Sequence, residues 1–262
     1  MVCNALIISS PTVDIININN NEVICAGGPP LYAGFALRKM NCNVYFYGPI
    51  GYETEKTVNL QEKINIITVG IRQKVKGAVF YHKYNQDKRL TKFIGEIIPI
   101  DVNDLINKTR NIKFDFIILS PIFNEIPAEQ IKLLNKPIVL DPQGYVRSLK
   151  AWMDLVPLNY IDLFHISSDD LPLDLVKNLA INSILLYTMG IENTVIIDKN
   201  EAKEIKPSGN IAKDRTGSGD IITGLVSYYY FYKKLNIVDA YNKAQENFEE
   251  VINEVNRIKY NF

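Results

Sequence analysis

Short runs of apolar, largely β-branched residues recur along this chain: Ala5 to Ser9, Val44 to Tyr47, Phe116 to Leu119, Ile138 to Leu140, Leu163 to Ile166, Ile184 to Tyr187 and Val195 to Ile197. They are continuous rather than alternating, the mark of strands covered on both faces. Segments with helical spacing lie between several of them, at Leu31 to Met40, Ala128 to Leu134 and Pro172 to Ala180. Buried strands that alternate with helices form a parallel sheet between two helical layers. The chain is therefore expected to be an α/β protein, and 262 residues with 47% hydrophobic content suffice for one large core across its length, residues 1–262.

One region breaks the rhythm. From Ile66 to Ile98 the stretches GAVFYHKY and RLTKFIGE read as strands separated by the polar turn Asn85 to Lys88, too short for a crossover helix. With Val13 to Ile18 and Glu22 to Ala26 they suggest a small antiparallel sheet drawn from about residues 13–26 and 66–98. Two readings stay open here: edge hairpins of the main sheet, or a lid over a cleft. The chain closes on two helical segments, Asp220 to Lys234 and Val238 to about Lys259.

Lys+Arg and Asp+Glu number 29 each, so no global field exists to hold a polyanion, and nucleic acid is not expected as a partner. Cys3, Cys25 and Cys42 are odd in number and lack metal-ligand spacing, as expected of reduced, buried thiols in a cytoplasmic protein. MVCNALIISSPTVD has no signal-peptide character, and Ile221 to Tyr232 would span only about 18 Å as a helix, so no membrane association is expected.

The segment KDRTGSGDIITG, Lys213 to Gly224, carries the chemistry in question. As G-x-G-x-x-G from Gly217, the third glycine is replaced by Ile222; as a P-loop from Gly219, the Lys-Ser/Thr pair is replaced by Leu225 and Val226. Both nucleotide fingerprints fail. Gly217 and Gly219 nevertheless allow successive N–H groups to converge at a helix start, which makes an anion site. Asp220 beside it makes sense if a hydroxyl lies between the carboxylate and an incoming phosphoryl group. The alternative is an ordinary capped turn.

A second stretch, CAGGPPLYAGFALRKMNCNVYFYGPIGYE from Cys25 to Glu53, sets Gly27 and Gly28 between a strand and a helix. Paired with TGSGD, it resembles the ribokinase-like (PfkB) carbohydrate kinase family. The family signature, roughly D-T-x-G-A-G-D, stands here as Asp214, Arg215, Thr216, Gly217, Ser218, Gly219 and Asp220. The resemblance implies a three-layer αβα sandwich with a β-sheet lid, which transfers the ATP γ-phosphate, with Mg²⁺, to a hydroxyl of a sugar, polyol or nucleoside. It implies Asp220 as catalytic base and Gly217, Ser218 and Gly219 as the anion hole. It implies substrate contacts at Asp14, Gly27, Gly28 and Tyr32, and donor contacts at Ser167, Thr188, Gly190 and Thr216. Asp170 is implied as a water-mediated metal partner, and the lid as a homodimer contact.

Several positions depart from the family pattern. Ser167 and Asp170 of HISSDDL replace the Asn and Glu of N-x-x-E, Tyr32 replaces an Asn, and Tyr52-Glu53 replaces an aspartate pair. The Gln-Gly-x-x-Arg of LDPQGYVR and the Gly-Gly-Pro-x-x-Tyr pattern resemble the subgroup containing inositol kinases and archaeal relatives. A cyclic polyol is thus the first substrate expected, a nucleoside or simple sugar the next, with Gln143 and Arg147 at the substrate or its phosphate. His82 and His165, the two histidines, lack triad or metal spacing and are expected to be structural. Tyr228 to Tyr232 is expected to be core, and Arg89 a solvated lid residue. A non-catalytic sensor of nucleotide or sugar is the rival suggested by Ser167, Tyr32 and Tyr52, and an unrelated dinucleotide enzyme is a second.

Overall fold

The computed structural model describes residues 2–18, 21–85, 88–134, 137–190, 192–199, 201–206 and 216–262. In chain order the strands are β1 (Asn4–Ile8), β2 (Thr12–Ile18), β3 (Asn21–Gly27), β4 (Asn43–Tyr47), β5 (Pro49–Ile50), β6 (Ile66–Thr68), β7 (Ile71–Arg72), β8 (Ala78–Asn85), β9 (Lys88–Ile94), β10 (Phe116–Leu119), β11 (Ile138–Leu140), β12 (Leu163–Ser167), β13 (Ile184–Thr188), β14 (Thr194–Asp198) and β15 (Glu201–Ile205). The helices are α1 (Pro29–Lys39), α2 (Glu55–Lys63), α3 (Val102–Thr109), α4 (Gln143–Ser148), α5 (Trp152–Leu155), α6 (Leu173–Val176), α7 (Ser218–Ser227) and α8 (Ile237–Ile258).

Nine strands form the central sheet in the order β15-β14-β13-β12-β11-β10-β1-β4-β6, parallel from β13 to β6, with β14 and β15 antiparallel at one edge. The period-two alternation of a pleated strand divides each apolar run between two cores. Ala5 and Ile7 of β1 enter one and Leu6 and Ile8 the other; Phe116 and Ile118 of β10 part from Ile117 and Leu119 in the same way. The first core is roofed by α1, α7 and α8. The second includes residues of α3, α4 and α5. This is the αβα sandwich expected from the sequence.

Helix α1 opens on Pro29 and Pro30, where the missing N–H groups have no partner to lose. Gly28, at φ +89°, turns the chain out of β3 and caps the helix by accepting the Leu31 N–H at 3.0 Å. Every residue from Pro29 to Leu37 is buried. Helix α8 is amphipathic; Asn236 accepts the Asp239 N–H at 3.0 Å to cap it. Chain connections run outward in both directions from β1 and β10, and the crevice beyond their C-terminal ends is where open α/β sheets hold ligands.

A separate four-stranded sheet, β3-β2-β8-β9, stands beside the main one, so the hairpins are not edges of it; its central strands β2 and β8 pair in parallel, so the sheet is mixed rather than antiparallel throughout as expected. Its second pair begins at Ala78, a correction to the expected start at residue 66. Ile66–Thr68 instead forms β6 against β4, because α2 supplies the crossover between them, and Ile71–Arg72 pairs with Pro49–Ile50. Phe80 and Phe93 of this lid meet Phe123 of the body, with ring centroids 6.1 and 4.4 Å apart. The turn between Asn85 and Lys88 and the Arg89 side chain lie outside what is described. Residues 128–133 and 177–181 are 3-10 rather than α-helical, and the segment expected as one helix to Lys234 becomes a π-turn over Tyr228–Tyr232. All three cysteines are buried thiols. Among the described residues no helix is long and apolar enough to cross a membrane.

Helices α7 and α1 cross closely at Gly224, where a Cβ would lie 3.0 Å from the Ala33 carbonyl oxygen. Gly224→Val should force the helices apart and lower unfolding free energy by about 1–3 kcal/mol, read as a reduced denaturant midpoint.

Candidate active site

The site lies beyond the C-terminal ends of β1, β10, β11, β12 and β13. Gly217, the N-cap of α7, has φ +80°, and a Cβ there would fall 2.2 Å from the Tyr32 ring. Only glycine satisfies both conditions. The amides of Ser218, Gly219 and Asp220 follow at the helix start, where the dipole favours an anion. Around Gly219 a Cβ would meet only His165 Cε1, at 3.6 Å, so that side of the loop is open. Thr216 precedes the turn; Asp214 and Arg215 lie outside the described residues.

Tyr32 is the first correction. Expected at the substrate, it is 1% exposed and lies beneath Gly217, with Lys259 Nζ 5.8 Å from its ring. It supports the loop. Gly27 and Gly28 also serve internal needs: a Cβ on Gly27 would fall 2.4 Å from Asp14 Oδ2, and one on Gly28 would fall 2.9 Å from the Ser10 oxygen and the Thr12 nitrogen. The open backbone expected for substrate is thus filled at Gly27 by the Asp14 carboxylate. Asp14 itself is buried on β2 and accepts the Thr12 hydroxyl at 2.9 Å.

Asp220 is 8% exposed, with Ser120 Oγ and Gln143 Nε2 each donating to Oδ1 at 3.4 Å. Burial pushes its pKa up to about 7; the Arg147 guanidinium and Ser120 oppose this, and the Asp14 and Asp170 charges add to it. Gln143 opens α4 and also donates to Ser120 Oγ at 3.2 Å, while Arg147, one turn on, donates to Gln143 Oε1 at 2.7 Å. The guanidinium also rests 5.8 Å from the Phe80 ring of the lid. Helix α4 packs tightly on the loop after β10, since a Cβ on Gly144 would fall 2.2 Å from the Pro121 oxygen. Thus Asp220, Gln143 and Arg147 converge as a connected group, with Asp14 near enough to act on the charge of Asp220.

At the other flank, Ser167 and Thr188 pair in register at the ends of β12 and β13. The Ser167 hydroxyl accepts the Asp169 N–H at 3.1 Å, and its carbonyl accepts the Asp170 N–H at 3.0 Å. Gly190 takes φ +61° in the turn beyond Thr188. Tyr52 is 63% exposed, and Glu53 Oε2 accepts the Gly77 N–H at the base of the lid. Neither belongs to the convergent group.

Two site residues went unnoticed in the sequence, and a third was expected to be merely structural. Ser120 ends β10 and bonds Asp220; nothing distinguishes a single serine after FIIL. Asp141 ends β11, is 6% exposed and accepts the Gln143 N–H at 3.1 Å. Burial, then the charges of Asp220 and Asp170, drives its pKa well above the carboxylate range. Its position after an apolar strand, in a motif already singled out for Gln143, was the available signal. His165, expected to be merely structural, lies directly under Gly219.

Among the described residues no three His, Cys, Asp or Glu side chains are close enough to hold a metal ion unaided. The oxygen donors of Asp141 and Asp170 are nevertheless the kind that hold Mg²⁺ through water alongside substrate phosphates, and their repulsion of Asp220 is what a cation would relieve.

Gly217→Ala should strain the left-handed turn and collide with Tyr32, lowering stability by about 1–3 kcal/mol. In a double-mutant cycle with Tyr32→Ala, the cost of Gly217→Ala should be smaller in the Tyr32→Ala background, read in a denaturant titration.

Neither a protein-family model nor a curated protein matches the chain. Solved structures do. A pyrophosphate-dependent kinase in the ribokinase family, complexed with a pyrophosphate analog and myo-inositol, superposes with TM-score 0.79 at 18% identity over 94% of each chain. Ribokinase from Thermotoga maritima gives 0.72 at 17% identity, over 95% of this chain and 92% of that one. A nucleoside kinase from Burkholderia thailandensis, in complex with inosine, gives 0.73 at 16%, over 93% and 89%. Likeness at this level of identity speaks for architecture, and central sheet, helical layers and lid together give this chain the ribokinase-like fold.

Proposed function

We propose that the protein is a kinase that moves the γ-phosphoryl group of ATP to a hydroxyl of a small polyol or sugar, an inositol-like cyclic polyol first. The observation that carries the reading is the buried Asp220 carboxylate, with its pKa raised to about 7, adjoining the amides at the start of α7. A carboxylate there would repel a bound phosphate to no purpose unless it takes a proton from a hydroxyl lying between them. The resemblance to kinases whose names specify myo-inositol and inosine supports the acceptor class.

Asp220 accepts the proton of the attacking hydroxyl as the new O–P bond forms in line with the breaking bond between the γ-phosphorus and the β-phosphate oxygen, and ADP leaves. The N–H groups of Gly217 to Asp220 take up charge on the transferring group and need no reorganisation to do so. Asp14 accepts hydrogen bonds from other acceptor hydroxyls, and Arg147, oriented by Gln143, faces the negative charge of substrate or product. Asp141 and Asp170 would hold Mg²⁺ through water, and the ion would supply neutralisation of charge on the donor phosphates. Thr188, Ser167, Gly190 and Thr216 line the donor side.

A second reading, inorganic pyrophosphate as donor, is favoured by the likeness to a pyrophosphate-dependent kinase. Turnover across a panel of polyols, pentoses, hexoses and nucleosides, with Mg·ATP and Mg·pyrophosphate in parallel, decides both acceptor and donor. Binding without transfer throughout would sink the kinase reading in favour of a sensor.

Because the base works unprotonated and its pKa is raised, kcat should fall about tenfold per pH unit below about 7 and level off above it. Asp220→Asn should retain donor binding, lose about a hundred- to ten-thousand-fold in kcat and lose this acidic limb. Dimerisation through the lid belongs to the same proposal, with Ile24 and Leu90 exposed on it. Leu90→Asp should then lower the mass seen in sedimentation, and an unchanged monomer in both proteins would remove the idea.

A further inference from the structure

His165 has no part in the steps above, yet its surroundings are not those of a filler. Along β12, Leu163 enters the core under α7, whereas Phe164 and Ile166 enter the opposite one. The alternation therefore turns His165 toward α7. The ring is 3% exposed and bridges two hydroxyls: Nδ1 lies 2.6 Å from Thr223 Oγ1 on α7, and Nε2 lies 3.2 Å from Thr188 Oγ1 at the end of β13. Thr223 in turn donates to the Gly219 carbonyl at 2.9 Å. One imidazole thus joins the donor-side strand to the helix turn that carries the anion site.

One arrangement of protons makes all three contacts at once. A carbonyl only accepts, so the single Thr223 hydroxyl proton goes to Gly219. The Thr223 oxygen then accepts from Nδ1–H. Burial holds the imidazole neutral, with its pKa lowered to about 4, so Nε2 carries a lone pair and takes the Thr188 proton. The opposite tautomer would leave one of the three contacts unmade in a buried site. Thr188 is half-buried, and with its proton drawn inward its outward face presents lone pairs alone.

We propose that His165 is a positioning residue that sets the chemistry of the phosphoryl donor: by holding the Thr188 proton it turns the Thr188 oxygen into an obligate hydrogen-bond acceptor. An acceptor suits a donor that brings hydroxyl groups, a nucleoside triphosphate with its ribose, and disfavours inorganic pyrophosphate, whose ionised oxygens also only accept. The inference rests on the donor site of the proposed kinase, with Thr188 lining it.

The experiment compares ATP, a dideoxyadenosine triphosphate lacking both ribose hydroxyls, and pyrophosphate, each with Mg²⁺, in wild type, His165→Leu, Thr188→Val and Thr188→Ser. In wild type the dideoxy donor should show kcat/KM lower than ATP by up to about tenfold, the worth of one hydrogen bond. His165→Leu and Thr188→Val should each abolish most of that difference, leave the acceptor KM unchanged and, combined, do no more than either alone. Thr188→Ser should preserve it. In His165→Leu the freed Thr188 proton should also lower the KM for pyrophosphate. A purely structural His165 would instead lower the thermal midpoint and leave the ratio between donors intact; that result, or a wild type preferring pyrophosphate, overturns the proposal. Calorimetric binding of the same donors reads the discrimination without turnover, so donor selectivity without transfer defeats the kinase reading while upholding this one. If His165→Leu does not fold, Thr188→Val tests the same oxygen.

Discussion

The contact between the Tyr32 ring and Gly217 is the constraint on which the rest of the site depends. It joins the first glycine turn of the chain to the last, since Tyr32 stands in the first turn of the helix that Gly28 opens and Gly217 opens α7. With no Cβ at 217 the ring lies flat against the backbone, and the start of α7 is set over the end of the sheet. Farther along the same pair of helices, Gly224 permits the second close approach, at Ala33. Two glycines on one helix thus decide where Asp220 points.

Around that frame the protein buries more acid than base. Asp14, Asp141, Asp220 and Glu125 are all under a tenth exposed, while Arg147 reaches in from the exposed face of α4. Each carboxylate is handled differently. Glu125 accepts the N–H groups of Ile122 and Phe123 and so shapes the loop against which Arg147 and the lid rest. Asp141 fastens the start of α4. Among the described residues Asp220 has only long hydrogen bonds from side chains, at 3.4 Å, and is left with the capacity to gain a proton near neutrality. A fully satisfied carboxylate would be a poor base; the loosely held one is the better suited to the work.

The layered sheet was legible because runs such as ALIIS and FIIL are buried on both faces and need no context. The convergence of Asp220, Gln143 and Arg147 was legible through the resemblance, which supplied the long-range register that periodicity lacks. What escaped shares one cause. Ser120, Asp141 and His165 act through neighbours on other strands, and a strand order in which β10 lies beside β1 cannot be read from local spacing. Tyr32 failed for the converse reason: its motif marks a place in the chain, but whether a tyrosine there faces substrate or supports a loop depends on a residue nearly the whole chain away. The lid boundary lay elsewhere because α2, before residue 66, carries the chain across to make Ile66–Thr68 a strand of the main sheet.

The position of Asp14 has a consequence for how sequences of this shape can vary. A methyl group on Gly27 would overlap the Asp14 carboxylate and the Thr12 hydroxyl alike, at 2.4 and 2.6 Å. The glycine is thus the complement of the acid. A chain that exchanged Asp14 for a smaller residue would still meet the Thr12 hydroxyl on placing alanine at 27, whereas one that keeps the acid holds the glycine with it. Positions 12, 14 and 27 constitute a single unit of inheritance, and a substitution at any one is best weighed by what stands at the other two.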